Sequence, residues 1–239
     1  KFKYSKNLIN SKFLIGSKLN FAENLLSKND NTKAITFISE NGYKEIRTWS
    51  QLNSTTSKII EFFKINKIKK NDRVAAYLAN TIETVESFLA TASVGAIWSS
   101  CSPDFGVKAV IDRFHQLNAK ILIICDYYIY NGKKFSYSNQ LSKIQNILKI
   151  PYTLKTTYPS ASSKKLDLEK IYQKYQNHKV IKTNFVSFDH PLYILFSSGT
   201  TGLPKCITHS HGGVTLQHLK ELSLHTNISS KDNMLFFTT

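Results

Sequence analysis

The chain has 239 residues, 41% of them apolar, and 32 lysines and arginines against 16 acids give it a formal net charge of +16. That length buries a sizeable core as one large domain or two small ones, no apolar run approaches the ~18 residues of a transmembrane helix, and no signal-peptide stretch follows Lys1–Lys6. The charge has the sign of a nucleic-acid binder, but lysine supplies nearly all of it, only Arg47, Arg73 and Arg113 being arginine, and the lysines are spread along the chain, so neither nucleic acid nor a membrane is expected as a partner.

From residue 48 onward the pattern alternates strand and helix. Thr48-Trp49-Ser50-Gln51 has capping-box form and opens a helix with Leu52, Ile59, Ile60 and Phe63 on its apolar side. Lys67, Lys69 and Lys70 mark a solvated turn, Asn71-Asp72 another, and Arg73–Leu78 reads as a strand. Asn80 is placed to cap a helix carrying Ile82, Val85, Phe88, Leu89 and Ala92 at helical spacing. Ala96–Ser99 is a short strand with Trp98 as core, Pro103-Asp104 starts a helix running to about Leu117, and Ile121–Cys125 is a strand apolar on both faces, as in a covered parallel sheet. Lys149–Lys165, rich in Ser, Thr, Tyr, Pro and Lys, reads as a loop between subdomains. A helix near 166–176, a strand near 185–188 and a helix from about 213 to 225 follow. This alternation predicts an α/β fold, a doubly wound, largely parallel sheet with flanking helices.

Chemistry concentrates after Leu192–Phe196, a buried-strand pattern. Ser197-Ser198-Gly199-Thr200-Thr201-Gly202-Leu203-Pro204-Lys205 puts two glycines, four hydroxyls and a lysine into one turn. Glycines allow close backbone approach and positive φ, consecutive N–H groups form an anion-binding nest, and hydroxyls with a lysine add donors and charge. All suit a polyphosphate. The pattern is not G-x-x-x-x-G-K-[ST] opening a helix: Cys206–His209 reads as a second strand, so the loop joins two strands. The bland alternative is a Ser/Thr/Gly-rich surface hairpin.

With its Pro-Lys ending in register, the string resembles the phosphate-loop signature of the adenylate-forming superfamily: acyl-CoA synthetases, peptide-synthetase adenylation domains and luciferases. Phe21-Ala22-Glu23-Asn24-Leu25-Leu26, Val94–Gly106 (with Ser99-Ser100-Cys101-Ser102-Pro103-Asp104-Phe105-Gly106), Asp112-Arg113-Phe114, Tyr130-Asn131-Gly132-Lys133, His209–Gly213 and Leu216–His225 resemble its acetoacetyl-CoA synthetase branch. The resemblance runs from about Phe13 to Thr239. It implies a leading segment, 1–28, and a truncated AMP-binding (adenylation) domain, 29–239. It implies an ATP-dependent acid–CoA ligase that activates acetoacetate as an acyl-adenylate and passes it to coenzyme A, with Mg2+ accompanying ATP. Ser197, Ser198, Gly199, Thr200, Thr201, Gly202 and Lys205 would hold the phosphates. Tyr130, Asn131, Gly132 and Lys133 would meet the nucleotide end of coenzyme A, although an Asn-Gly pair is equally a plain turn. Arg113 would either reach coenzyme A or pair with Asp112 or Asp104.

His209, His211, His218 and His225 fall on different elements, which favours core packing and cap hydrogen bonds over a metal site. Gly212-Gly213 allows tight packing at a helix start. Cys101, Cys125 and Cys206 lie in or beside apolar segments, as buried thiols of a reducing cytoplasm do. The chain begins without Met and stops in the strand-like run Met234–Thr239, so a fragment, inactive alone, is expected; the lysine of a C-terminal lid would lie past Thr239, and no catalytic residue is expected within the chain. An acetyl- or other short-chain acyl-CoA synthetase, a nucleotide-binding module without chemistry and a basic nucleic-acid-binding α/β domain are the competing readings.

Overall fold

A computed structural model describes residues 1–7, 10–161, 166–176, 181–197 and 202–235. The elements in chain order are β1 (Lys18–Leu19), α1 (Phe21–Leu25), β2 (Lys33–Ile38), β3 (Lys44–Thr48), α2 (Trp49–Ile65), β4 (Arg73–Tyr77), α3 (Ile82–Ser93), β5 (Ile97–Cys101), α4 (Val107–Phe114), β6 (Ile121–Cys125), β7 (Tyr127–Tyr130), β8 (Lys133–Ser136), α5 (Ser138–Leu148), β9 (Tyr152–Thr156), α6 (Asp167–Lys174), β10 (Val186–Ser187), β11 (Pro191–Phe196), β12 (Cys206–Ser210) and α7 (His211–Leu219), which continues as a π-helical turn, Lys220–His225.

Among the described residues, six strands form one sheet in the order β12-β11-β5-β4-β6-β9. Every neighbouring pair is parallel except β11–β12. The chain moves one way across the sheet from β4 to β5, then back over β4 to β6 and β9. Right-handed crossovers place helices of opposite travel on opposite faces. The contacts agree: α4 packs on α5, while α2 packs on α3 and α6, and α1 on α3 and α7. The sheet is therefore doubly wound, as the alternation predicts. Strand β6, between β4 and β9, is buried along its whole length, with Ile121, Leu122, Ile123 and Ile124 all but inaccessible, and it must be apolar on both faces because helices cover both.

Local chemistry sets several boundaries. Thr48 and Gln51 close the expected capping box: Gln51 N–H donates to Thr48 Oγ1 at 3.2 Å, and Thr48 N–H to Gln51 Oε1 at 2.9 Å. Leu52, Ile59, Ile60 and Phe63 are buried on α2, and Trp98 is core.

Three expectations need correction. The cap of α3 is Thr81, one residue after Asn80. Helix α4 starts at Val107 and not at Pro103, because residues 102–106 turn back on themselves and their carbonyls are taken from below: Tyr77 and Tyr137 hydroxyls both donate to Pro103 O, and Tyr77 also to Phe105 O. The segment read as a loop from Lys149 contains β9, paired in register with β6 from Ile121↔Tyr152 to Cys125↔Thr156. As an edge strand it buries Leu154 and Thr156 and leaves Tyr152 and Lys155 exposed, so its composition looks loop-like while its pairing is supplied by β6. The inward face of α3 also carries Glu83 and Glu86 beside its apolar residues.

Glu86 is fully buried. Arg47 Nε donates to it at 3.0 Å, and Thr55 and Tyr172 hydroxyls also donate. Lys58 Nζ reaches Tyr172 O at 2.7 Å. One carboxylate thus ties β3, α2, α3 and α6 together. A buried charge persists only with such pairing.

The leading segment is part of the same packing. Phe21, Ala22 and Leu26 share a cluster with Leu52, Leu89, Ala92, Leu192 and Val214. Asn20 caps α1 by accepting from Ala22 N–H, and its amide donates to Ala92 O at 2.8 Å and Asn184 O at 2.9 Å.

Candidate active site

In a parallel sheet, ligand-binding loops gather at the carboxyl ends of the strands. Here that edge carries the turns after Tyr77, Cys101, Cys125, Thr156 and Phe196. The hydroxyl-rich loop leaves this edge at Phe196 and returns at Cys206, opposite it in the antiparallel register. It therefore joins two strands, as the sequence indicates. Ser198, Gly199, Thr200 and Thr201 lie outside the described residues. Ser197, Gly202 and Lys205 lie within them, and the loop's base is pinned where Ser197 N–H donates to Lys205 O at 3.1 Å. The Lys205 side chain is exposed, and Gly202 has φ +151°.

Tyr130, Asn131, Gly132 and Lys133 form the tip of a second hairpin, β7–β8, which grows from the carboxyl end of β6. The sequence reading found its turn but not its strands. Asn131 and Gly132 have φ +50° and +70°, the pair of left-handed residues that a two-residue hairpin turn requires. Tyr130 and Lys133 are exposed. Gly132 N–H donates to Glu40 Oε2 at 2.9 Å, which moors the tip to the β2–β3 connection. The roots of the two hairpins, on β11 and β6, are three strand spacings apart, roughly 14 Å.

Arg113 is half-buried on α4. Its guanidinium lies over the Phe105 ring at 4.6 Å and the Phe196 ring at 5.9 Å and donates to Ala109 O at 2.8 Å. Asp112 pairs instead with Lys108, at 2.6 Å. Arg113 is thus set beside the root of the hydroxyl-rich loop, with its contacts there and not at the Tyr130–Lys133 tip.

Of the four histidines singled out in the sequence, His211 is packed in the core, His209 is half-buried, and His218 and His225 are exposed, against the expectation of core packing for them. His211, at the start of α7, is fully buried, and its Nδ1 accepts from Phe21 N–H at 3.1 Å. Burial, and then the neighbouring His190, hold it down to about 4, so it is neutral. His190 Nε2 lies 2.8 Å from Gly95 O. Gly212 allows the approach of Phe188: a Cβ there would come within 2.1 Å of the ring. Cys101 and Cys125 are buried as expected, and burial pushes both thiols up to about 12. Cys206 departs from the expectation and is exposed, because β12 lies at the edge of the sheet.

Comparison with known proteins follows this geometry. Residues 22–239 match the family model described as AMP-binding enzyme. The chain is 41% identical over 239 aligned residues to an acetoacetyl-coenzyme A synthetase of Rhizobium meliloti (strain 1021), covering 97% of this chain and 36% of that protein. It is 38% identical over 249 residues to an acetoacetyl-CoA synthetase of Mus musculus, covering 94% and 35% respectively. A solved acetoacetyl-CoA synthetase from Streptomyces lividans superposes with a TM-score of 0.83 at 33% identity, over 91% of this chain and 34% of that one. The chain spans about a third of the length of these relatives.

Proposed function

The chain belongs to the AMP-binding enzyme family, and from that premise we propose that it forms the phosphate-binding and coenzyme-A-binding part of an ATP-dependent acid–CoA ligase acting on acetoacetate. The observation that carries this reading is the hydroxyl-rich loop, rooted between antiparallel β11 and β12 at the edge where a parallel sheet binds ligands. The choice of acetoacetate is supported by the names of the relatives.

In the first half-reaction the carboxylate attacks the α-phosphorus of ATP, giving an acyl-adenylate and pyrophosphate. In the second, the thiol of coenzyme A displaces AMP and a thioester forms. The work left to the loop is to hold the β- and γ-phosphates in place and offset their charge while the α-phosphorus reacts, which is positioning and electrostatics. Ser197, Ser198, Thr200 and Thr201 offer hydroxyls, Gly199 and Gly202 carry no side chain to block a ligand, and Lys205 brings an exposed ammonium to a phosphate. Those hydroxyls are hard oxygen donors of the kind that suits magnesium, and Mg2+ bound with the nucleotide would supply further charge neutralisation. Lys133 at the second hairpin would take the phosphates of coenzyme A, and Gly132, with no side chain, would let them come close, its N–H staying with Glu40 Oε2. A thiol arm extended along the edge between the two hairpins would then bring its sulfur toward the adenylate. The free thiols support a reducing cytoplasm as the site of action, and among the described residues no helix is long and apolar enough to cross a membrane.

The test uses a chain of the relatives' full length carrying this segment. Lys205→Ala should lower acetoacetate-dependent ATP–pyrophosphate exchange on the order of 10²-fold, or about 2.7 kcal/mol, with the fold intact by circular dichroism. Near-normal exchange would remove the loop from the phosphate site.

A further inference from the structure

Both ends of the hydroxyl-rich loop touch one helix. At the outgoing end, Phe196 lies under the guanidinium of Arg113. At the returning end, Gln116, in the turn that closes α4, donates from Nε2 to Pro204 O at 3.0 Å, and its Oε1 lies 3.5 Å from Cys206 Sγ. The same amide nitrogen is anchored by Asp112 O at 2.8 Å. Arg113 is itself fixed, stacked on Phe105 and bonded to Ala109 O. Gln116 follows Arg113 by three residues in the closing turn, and its N–H donates to Arg113 O at 3.2 Å, which keeps the two side chains near each other.

We infer that Arg113 and Gln116 are positioning residues which clamp the two ends of the phosphate loop to α4 and so set where its donors stand. The inference rests on the phosphate-loop reading above and adds the part of the fold that holds the loop. Its physical basis is short. A loop of donors helps a reaction only if it is arranged before the ligand arrives. Antiparallel pairing fixes the loop's feet on β11 and β12, but it leaves Pro204, the residue before Lys205, without a ladder partner. Gln116 supplies that partner from outside the sheet. Arg113 holds the other foot by its flat face, a contact that a lysine would not reproduce. The contact with Arg113 also relates the loop to Phe105, in the turn after β5, so the clamp sets the loop's place along the ligand edge.

The test uses a chain of the relatives' full length carrying this segment, with apparent KM values in ATP–pyrophosphate exchange and amide hydrogen exchange over residues 197–206. Gln116→Ala, Gln116→Glu and Gln116→Met should all raise KM for Mg-ATP about 2- to 12-fold, the range of one lost hydrogen bond. They should speed amide exchange in 197–206 and leave KM for coenzyme A unchanged. Gln116→Glu keeps the size but cannot donate to Pro204 O and adds a negative charge, so it is read beside the neutral Gln116→Met, which also cannot donate and which a role in packing alone would leave like wild type. Arg113→Lys should also raise KM for Mg-ATP, and Arg113→Ala more so. Wild-type KM and wild-type amide exchange in Gln116→Met would overturn the clamp. If Lys205→Ala weakens exchange chemistry while the Gln116 variants do not, the clamp fails and the phosphate loop stands. If Lys205→Ala has no effect, the phosphate reading fails, and amide exchange in the Gln116 variants still decides whether α4 holds the loop.

Discussion

At the scale of single residues, two positions show how far burial departs from composition. Gly212 has no room for a methyl group, since the Phe188 ring would lie 2.1 Å from its Cβ. Gly212→Ala should cost about 1–3 kcal/mol by overpacking, read as a lower urea midpoint, and Phe188→Leu in the same chain should recover part of it. An unchanged midpoint would mean that the ring moves aside freely. The Gly-Gly pair at a helix start pointed to close packing there, but its partner, some 24 residues earlier in the chain, had no local mark. Arg113 is the opposite case. Its neighbours Asp112 and Asp104 suggested an ion pair; instead Lys108, one turn earlier, takes Asp112, and Arg113 settles on two aromatic faces. One phenylalanine comes from the preceding turn and the other from a strand 83 residues on, which no local pattern announces.

At the scale of elements, legibility followed the range of the forces involved. Helix α2 was readable because its cap, Thr48 with Gln51, and its apolar stripe are contained in one stretch of chain. Strand β6 was readable because five consecutive apolar residues fit a covered position. Strand β9 was not, since what makes Tyr152–Thr156 extended is the hydrogen-bonding edge of β6 and not its own residues. The β7–β8 hairpin shows both effects. Asn131-Gly132 gave its turn, while Tyr128, Phe135 and Tyr137, whose stacked rings hold the strands together at 5.0 and 5.5 Å, carried no alternation clear enough to read. The hairpin also carries the test that separates the two half-reactions. Lys133→Ala should raise apparent KM for coenzyme A about 2- to 12-fold, as expected for one screened phosphate contact of roughly 0.5–1.5 kcal/mol. Acetoacetate-dependent ATP–pyrophosphate exchange should stay near normal. Equal loss in both assays would point to a folding role for the turn, and no change in either would leave it a plain hairpin tip.

At the scale of the whole molecule, two buried titratable groups act against each other. Burial, and then the charge of Glu86, push the Glu83 carboxyl up from 4.5 to about 7. The folded chain therefore binds this proton more tightly than the unfolded chain, and the stability it lends is full below about 4.5 and lost as pH rises to about 7, a change of about 3 kcal/mol. His211 works the other way. Held down from 6.5 to about 4, it favours the folded state above about 6.5 and loses that contribution as pH falls toward 4. Between about 4.5 and 6.5 the two slopes oppose, so relative to wild type Glu83→Gln should tilt stability upward with rising pH across this range, and His211→Gln should tilt it downward. Urea titrations at pH 4.5, 5.5, 6.5 and 7.5 read both, and parallel curves for wild type and Glu83→Gln would show that Glu83 ionises normally. The hydrogen bond from Phe21 N–H to His211 Nδ1 spans 190 residues. A ribosome adding 5–20 residues per second needs roughly 10–40 s to make the second partner after the first. For that interval Phe21 and Ala22 have only Leu26, Leu52, Leu89 and Ala92 of their cluster to lean on, and the face that Leu192, His211 and Val214 will cover stays greasy and unclaimed.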